Sequence, residues 1–531
     1  MKRTMVVLAM AAILGGSPAS AYDVSEKSIA TLEDDLAAGR VTSEQLVRAY
    51  LHRIAAIDRD GPTLNSVIAL NPDALQEARA LDAERKAKGP RGPLHGIPIL
   101  VKDNIETADP VATTAGSLAL KDNVTGRDAP AVARLRAAGI IVLGKANLSE
   151  WANIRSSRSI SGWSAIGGLV KNPYVLDRSA CGSSSGSAAS VAASLAAAAL
   201  GTETDGSLVC PGSLNGLVTI KPTVGLVSRT HIVPIAHSQD GAGPMTRDVR
   251  DAALLLTVMA ASDPADPATA EADAHKADYA AALSDATLKG MRLGYVPPGP
   301  AATPSATDLV FAKALATLKA AGADLVEIED PPAVPPEMGD NELSVLLFEL
   351  KHDLDAYLAG LPADSKVKTR SLAEVIAFNA ASPRELVLFG QELFDAAQKK
   401  GDLTDPAYLK AAAALRDFSR GVLDKLLADN RLDALIRATD DGAFRVDTIK
   451  GDNDTSSASF LPATAGYPHL TVPMGAVRGL PVGISFVGPA WSEAKLLQLG
   501  YAFEQAARAR IVPAFIPTLE APDDPAFAPQ P

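Results

Sequence analysis

The chain has 531 residues, of which 47% are hydrophobic and 21% are charged, so it is long enough to bury a large core. Its formal net charge of −12 disfavours nucleic acid and anionic membrane surfaces as partners, because both are negatively charged. After the N-terminus, no stretch reaches the roughly 18 apolar residues that a membrane-spanning helix needs. The composition is that of a large folded protein.

The N-terminal 21 residues have the pattern of a secretory signal peptide. Two basic residues precede the apolar run 5–14, and the small residues Ala19 and Ala21 follow it. We expect cleavage after Ala21, with export to the periplasm or the outside of the cell; an uncleaved anchor is the alternative. The remainder is predicted to comprise one domain over residues 22–512 and a proline-rich tail over residues 513–531.

Residues 24–90 are predicted to form three helices that carry no recognisable chemistry. Leu32, Leu36, Leu46 and Tyr50 recur there at helical spacing. This region is a helical lead-in to the rest of the fold.

Lys102 directly follows a predicted buried strand over residues 97–101, whose side chains are apolar on both faces. The carboxyl ends of such strands are where open α/β sheets hold their sites. A buried lysine is rare, so Lys102 is either a functional group or a side chain that reaches the surface from the strand end. The local sequence leaves both explanations open.

Strands and helices alternate along the remaining chain, which indicates an α/β fold. Strands are predicted over residues 140–143, 217–221, 224–227, 291–296, 325–329, 432–436, 470–472 and 483–487. Helices are predicted over residues 129–139, 247–261, 304–321 and 494–507, with Thr303 capping the third, and residues 340–430 are expected to be mainly helical. The long segment 147–178 contains Trp151 and Trp163, and we expect it to be an ordered wall.

The stretch 181–211 least resembles an ordinary core. A Gly/Ser-rich loop with Ser183 leads into residues 188–199, of which eight are alanine, and then into the turn GTETDGS with Ser207. We predict an alanine helix that packs closely on a sheet and brings the two flanking loops together at a catalytic centre.

Cysteine and histidine patterns give no metal or cofactor site. The seven histidines form no H-E-x-x-H pair, the two cysteines form no C-x-x-C motif, and no phosphate-binding glycine motif is present. We therefore predict no metal and no cofactor. Cys181 and Cys210 could pair in an exported protein or remain free, and the sequence does not choose between these states.

Two hypotheses compete for the nucleophile. Residues 182–186 match G-x-S-x-G, which would make Ser184 the nucleophile of an α/β-hydrolase elbow. Such an elbow follows a buried strand, and residues 174–181 make a poor strand. The second hypothesis combines the strand-end lysine, the Gly/Ser-rich loop and GTETDGS in one site.

The segments HGIPILVKDN, CGSSSGSAASVAA, GTETDGSLVCP and KPTVGLVSR together resemble the amidase signature family, and the similarity extends from about residue 24 to residue 508. The resemblance implies an α/β fold with a large mixed twisted sheet covered by helices on both faces, and no cofactor. The GTETDGS variant, SISGWSAIGG and the exported setting are most similar to the peptide amidase branch, which removes the C-terminal amide of peptides.

The resemblance implies that Ser207 is the nucleophile, that Ser183, held by a cis peptide bond, relays protons, and that Lys102 is the general base. Lysine is a base only when neutral, and burial can lower its pKa of about 10.4 by up to roughly 3–5 units. Ser184 and Thr202 are expected to support Lys102 and Ser183, or only to satisfy local turns.

The expected oxyanion hole consists of backbone N–H groups, which stabilise the developing negative charge of the transition state. They belong to Thr204, Asp205, Gly206 and Ser207. Four residues depart from the commonest family pattern around this turn: Ser185, Glu203, Asp205 and Val209. The Asp205 side chain is either a substrate-orienting acceptor or a turn cap, and Trp151 and Trp163 are candidate substrate contacts.

The expected substrate is a small-molecule or peptide amide, and the sequence does not indicate an oligomeric state. A broad-specificity aliphatic or aromatic amidase is the first alternative. Two alternatives from other classes are the A-type subunit of a tRNA-dependent amidotransferase, against which the signal peptide argues, and a binding protein that has lost catalysis.

Overall fold

An 11-stranded mixed sheet is the central feature of the computed structural model, which describes residues 22–297, 303–329, 331–453 and 457–520. The predicted signal segment 1–21 and the end of the tail, 521–531, lie outside the described residues. The strands are β1 (Val67–Leu70), β2 (Pro98–Lys102), β3 (Ile141–Ala146), β4 (Trp163–Ser164), β5 (Gly168–Leu169), β6 (Ala198–Glu203), β7 (Val218–Lys221), β8 (Gly241–Thr246), β9 (Arg292–Tyr295), β10 (Asp324–Glu327), β11 (Ala434–Ala438), β12 (His469–Val477) and β13 (Leu480–Val487).

The described residues also contain 16 α-helices. They are α1 (Ile29–Ala37), α2 (Ser43–Arg53), α3 (Ala74–Lys88), α4 (Pro130–Ala137), α5 (Ser185–Ala192), α6 (Val209–Leu214), α7 (Val249–Met259), α8 (Ala272–His275), α9 (Tyr279–Ala282), α10 (Ala306–Ala320), α11 (Glu337–Ala359), α12 (Leu372–Ala381), α13 (Glu392–Gln398), α14 (Pro406–Asp429), α15 (Phe460–Ala465) and α16 (Glu493–Ala507).

The sheet order is β1-β3-β2-β6-β8-β7-β12-β13-β11-β9-β10, while β4 and β5 form a separate hairpin. Every residue of β2, β3, β6, β7 and β8 is buried, so both faces of this half of the sheet are covered. The structure confirms the predicted large mixed α/β sheet and the β9-α10-β10 unit, whose strands pair in parallel. Within the described ranges, no helix is long and apolar enough to cross a membrane.

Parallel pairing determines where Lys102 lies. β2 runs between β3 and β6, parallel to both, and Val101 lies opposite Lys145 of β3 and Leu200 of β6. Because the carboxyl ends of parallel strands share one edge, Lys102 lies beside the end of β6, where the turn 204–207 begins.

The alanine run is not one helix, and this prediction is wrong. Helix α5 ends at residue 192, and the following residues enter β6, which pairs with β2 and β8 at the centre of the sheet. The Arg247 guanidinium donates hydrogen bonds to the carbonyls of Val191 (3.0 Å) and Ala196 (3.1 Å) where the chain turns. Pairing with the neighbouring strands and the hydrogen bonds from Arg247 satisfy backbone N–H and C=O groups that a longer helix would have paired within itself. Tertiary contacts therefore override the helix propensity of alanine.

Besides β6, two strands of the central sheet lie where the sequence pattern predicts none. β1 lies within the predicted all-helical lead-in, although its three helices are present as α1, α2 and α3. β8 has the sequence GAGPMT, whose glycines and proline disfavour strands. Its pairing with β6 and β7 in the middle of the sheet outweighs that preference.

Three predicted boundaries are also wrong. The predicted strand 224–227 is a single bridge between its end residues. β12 does not stop at Pro473, because a register shift between Pro473 and Gly475 accommodates the proline. The N-cap of α10 is Ser305 rather than Thr303, since the Ser305 side chain accepts the third helical N–H in a capping box.

Candidate active site

Lys102 ends β2 with its side chain fully buried, so the alternative that it reaches the surface is wrong. Its Nζ donates hydrogen bonds to Ser183 Oγ and Thr202 Oγ1, both at 2.8 Å, and to the Thr202 carbonyl at 3.2 Å. Burial lowers the pKa of Lys102 to about 7, against the opposing charges of Asp240 and Glu203. A large fraction of this amine is therefore neutral near pH 7, as a general base requires.

Ser183 follows a cis peptide bond from Gly182, in agreement with the sequence-based expectation. Its side chain is buried and its carbonyl accepts the N–H of Ser149 at 3.1 Å. A Cβ atom at Gly182 would lie 2.2 Å from Ser149 Oγ, and one at Gly186 would lie 2.4 Å from two backbone carbonyl oxygens. Both glycines are therefore required for the close packing of this loop.

Ser184 and Thr202 connect the Gly/Ser-rich loop to the end of β6. Ser184 Oγ donates to the Thr202 carbonyl at 3.0 Å and accepts the Thr202 N–H at 3.2 Å. The Ser184 backbone N–H donates to the Ser207 carbonyl at 3.2 Å. These contacts bring the loop of Ser183 and the turn of Ser207 together. Both hydrogen bonds of the Ser184 hydroxyl, the one it donates and the one it accepts, are made with the Thr202 backbone.

A disulfide between Cys181 and Cys210 reinforces the same junction, with the two Cα atoms 6.0 Å apart. One cysteine directly precedes the Gly/Ser-rich loop and the other lies in α6, just after Ser207. The cysteine state that the sequence left open is therefore the paired one.

Glu203 organises the far side of the turn. Its Oε2 accepts the backbone N–H groups of Leu208 (2.7 Å) and Val209 (3.0 Å) at the start of α6. Burial raises the pKa of Glu203, and the charge of Lys221 opposes this shift. The same enclosed environment lowers the pKa of Lys221 to about 8, again through burial. Glu203 therefore fixes the backbone immediately after Ser207.

Asp240 is a site residue that the sequence analysis missed. Its Oδ1 accepts a 2.5 Å hydrogen bond from Thr204 Oγ1, and its Oδ2 accepts the N–H groups of Ile235 (2.8 Å) and Ala236 (3.0 Å). Burial of this carboxylate raises its pKa to about 6. The sequence feature that could have pointed to Asp240 is its position as the first residue of DGAGPMTRDVRDAALLL, a segment that shares the family resemblance.

Two cavities meet at the turn of Ser207. The smaller, of about 340 Å³, is lined by Asp205, Gly206 and Ser207, and the larger, of about 430 Å³, by Asn104 and Thr202. Three residues line both: Ala152, Thr204 and Ile235. The predicted oxyanion turn thus separates two cavities, and Ser207 faces the smaller one.

Asp205 lies on the surface of the smaller cavity and next to a second acid. Burial and the charge of Asp205 raise the pKa of Glu342 to about 8. Gln239 Nε2 donates to Glu342 Oε1 at 3.0 Å and holds this carboxyl in place. The wall of the cavity beside Ser207 therefore carries the Asp205 side chain, with the Glu342 carboxyl close to it.

Trp151 and Trp163 are not among the residues that line these two cavities. Each is only 3% exposed, and their rings pack edge-on against Phe394 (centroids 5.6 Å apart) and Phe389 (5.2 Å) respectively. The structure agrees with an ordered wall, and a substrate contact by either indole stays a prediction.

The family model for amidases matches residues 45–497, so the chain belongs to the amidase signature family and is an amide-hydrolysing enzyme. Its structure is similar to that of native peptide amidase from Stenotrophomonas maltophilia, with a TM-score of 0.87, 49% identity, and coverage of 92% of this chain and 99% of that one. It is 40% identical over 507 residues to a probable amidase of Arabidopsis thaliana, covering 94% of this chain and 93% of the relative. The A-type subunit of a glutamyl-tRNA(Gln) amidotransferase from Moorella thermoacetica is 35% identical over 492 residues, covering 90% of this chain and 95% of that relative.

Proposed function

We propose that this amidase removes the C-terminal amide of peptides, with Ser207 as nucleophile, Ser183 as proton relay and Lys102 as general base. The observation that carries the proposal is the 2.8 Å hydrogen bond from Nζ of the fully buried Lys102 to Ser183 Oγ. The loop that contains Ser183 is in turn joined to the Ser207 turn, because the Ser184 N–H donates to the Ser207 carbonyl. A serine hydroxyl needs a base to become a strong nucleophile, and this lysine has a pKa of about 7.

In the first half of the reaction, neutral Lys102 accepts the Ser183 hydroxyl proton while Ser183 accepts the proton of Ser207. The Ser207 oxygen attacks the carboxamide carbon, and the carbonyl oxygen becomes an oxyanion. The proton then returns through Ser183 to the leaving nitrogen, the C–N bond breaks, and ammonia departs from an acyl-enzyme. Water attacks the ester through the same relay and releases the peptide acid and Ser207.

The oxyanion is stabilised by backbone N–H groups of residues 204–207. The turn is fixed before the reaction, since Asp240 holds Thr204 on one side and Glu203 holds the backbone after Ser207 on the other. Donors fixed in this way require no reorganisation as charge develops, and one such donor is worth about 2.7–4 kcal/mol.

The similarity to peptide amidase supports the peptide substrate, and the 340 Å³ cavity beside Ser207 supplies the space for the acyl part. The test is a panel of peptide amides, matched free-acid peptides, and simple aliphatic and aromatic amides. We expect ammonia release with a clear kcat/KM preference for peptide amides. Equal rates across all amides would instead support the broad-specificity alternative.

Chemical labelling distinguishes the two nucleophile hypotheses. A fluorophosphonate should react with Ser207, as located by mass spectrometry, and the Ser207→Ala variant should not react. Labelling of Ser184 would support the elbow hypothesis. Rapid turnover of amides by the purified chain without other subunits would argue against an amidotransferase component, and the absence of both labelling and turnover would support an inactive binding protein.

We also propose export after cleavage near Ala21. The disulfide Cys181–Cys210 supports this, because such bonds persist in oxidising compartments. N-terminal sequencing of the protein recovered from a periplasmic or secreted fraction should begin at Tyr22, whereas a cytoplasmic protein that retains residues 1–21 would contradict export.

A further inference from the structure

Three side chains of the types that bind metals lie together at the larger cavity, whose lining includes His237 and Asp353 but not Lys102 or Ser207. His237 belongs to the loop between β7 and β8, while His352 and Asp353 are consecutive residues of α11. Their ligand atoms all lie within 4.8 Å of one another. His237 Nδ1 and His352 Nδ1 each lie 2.8 Å from a different oxygen of Asp353.

We propose that His237, His352 and Asp353 form a binding site for a divalent transition-metal ion such as Zn²⁺. Two imidazole nitrogens and one carboxylate oxygen are a ligand set that zinc accepts, with a fourth position left for water. The sequence does not indicate this site, because His237 and His352 are 115 residues apart and only the packing of the loop on α11 brings them together.

Modest side-chain movement would complete the coordination. Around a tetrahedral ion with metal–ligand bonds of about 2.0–2.1 Å, neighbouring ligand atoms lie roughly 3.3 Å apart. The two pairs of a histidine nitrogen and an Asp353 oxygen are 2.8 Å apart, so each pair has to separate by only about 0.5 Å. The two imidazoles have side-chain exposures of 42% and 56%, so they can rotate without disturbing the core. On binding, each imidazole would give up the Nδ1 proton that it donates to Asp353, present the Nδ1 lone pair to the ion and carry its remaining proton on Nε2.

The surroundings favour a cation. Glu349 Oε2 lies 3.6 Å from His237 Nδ1, and the N–H and hydroxyl of Ser238 hold it there, each at 2.9 Å. Arg229, which donates a hydrogen bond to the His237 carbonyl, is paired with Asp266 at 2.6 Å. Asp353 also accepts the His237 backbone N–H at 2.9 Å, so the carboxylate is already oriented toward the loop.

A bound ion would fasten this loop to α11. The same loop supplies the Ile235 and Ala236 N–H groups that hold Asp240, and Asp240 in turn holds Thr204. The metal would thus strengthen the attachment of a loop that supports the Ser207 turn, without touching the reacting atoms.

The test is a calorimetric titration of Zn²⁺ into mature protein that carries no histidine tag and has been treated with a chelator. We expect saturable binding of one ion per chain, and a Co²⁺ complex with visible absorption bands typical of low coordination number. His352→Ala and His237→Ala should each weaken zinc affinity at least tenfold, consistent with the effect of changing groups around a metal. His52→Ala, at an exposed histidine of α2, is the matched control and should bind like the wild type.

Circular dichroism should show that each variant is folded. His352→Ala is the more informative variant, because the His352 side chain is the more exposed of the two and its loss should disturb the fold less. Wild-type protein that takes up no zinc would overturn the proposal. So would zinc binding that both His237→Ala and His352→Ala leave unchanged, because the ion would then bind elsewhere.

Discussion

Two buried lysines at the ends of neighbouring strands differ in the groups that surround their ammonium nitrogens. Lys102 and Lys145 are both fully buried, on β2 and β3 respectively. Lys145 contacts the Asp103 carboxylate at 3.5 Å, the Thr113 hydroxyl at 2.7 Å and the carbonyl of Ile105. Lys102 instead contacts two hydroxyls and one carbonyl.

The difference lies in the partner of each ammonium group. Burial lowers the pKa of both lysines, but the adjacent Asp103 favours the charged form of Lys145. The charges that favour protonated Lys102, on Asp240 and Glu203, act without a direct contact, and its pKa falls to about 7. A contacting carboxylate opposes the loss of a proton from a buried lysine, whereas hydroxyls carry no charge that would do so and can exchange protons with it.

The largest expected effect is the loss of activity on replacing Lys102 with methionine. Removing a general base costs roughly 10²–10⁴ in rate, so kcat on a peptide amide should fall by at least that range. Stability should be retained, because no buried carboxylate loses a contact partner. Turnover within tenfold of the wild type would contradict the role of Lys102 as base.

Lys145→Met should have the opposite outcome. Breaking a buried ion pair leaves the Asp103 charge uncompensated and costs about 3–5 kcal/mol, so the midpoint of urea unfolding should fall markedly. Activity per folded molecule should remain close to the wild type. The double variant Lys145→Met/Asp103→Asn is the control and should recover much of the stability; no recovery would mean that packing rather than charge determines the loss.

Asp240→Asn tests the carboxylate that holds Thr204. An amide accepts fewer hydrogen bonds than a carboxylate, so Thr204 should be held less firmly and kcat should fall roughly tenfold. This loss is smaller than the roughly 10²–10³-fold fall in kcat that follows the removal of an oxyanion-hole donor itself. KM should change less than kcat, since the oxyanion forms only in the transition state. An unchanged kcat would show that Thr204 keeps its position without Asp240.

The pH dependence of kcat/KM should report the Lys102 titration. The neutral base predominates above its pKa of about 7 and is lost below it, so kcat/KM should rise through that pH and then level off. In Asp240→Asn the inflection should move to lower pH, because the Asp240 charge raises the pKa of Lys102 in the wild type. A flat profile from pH 6 to pH 9 would contradict a lysine base.

Several elements could be predicted from local sequence with fair accuracy. β2 and the helices α4, α7, α10 and α16 lie within a few residues of their predictions, because continuous apolar runs and helical periodicity are local signals. The candidate site residues Lys102, Ser183 and Ser207 can be proposed from the sequence because their motifs lie within short segments. The structure of the alanine run could not be predicted in this way, because alanine fits both a helix and a closely packed central strand. Pairing with neighbouring strands decides which of the two structures forms.

By itself, the sequence determined the family, the order of the motifs and the residue types needed for amide hydrolysis. Only the tertiary structure placed Asp240 against Thr204, joined Cys181 to Cys210, and brought His237 to His352. The physical reason is that each of these relations joins segments far apart in the chain, and their distances depend on sheet order and loop packing. Lys102 shows both contributions: the sequence placed it at a strand end, and burial without a contacting carboxylate lowered its pKa.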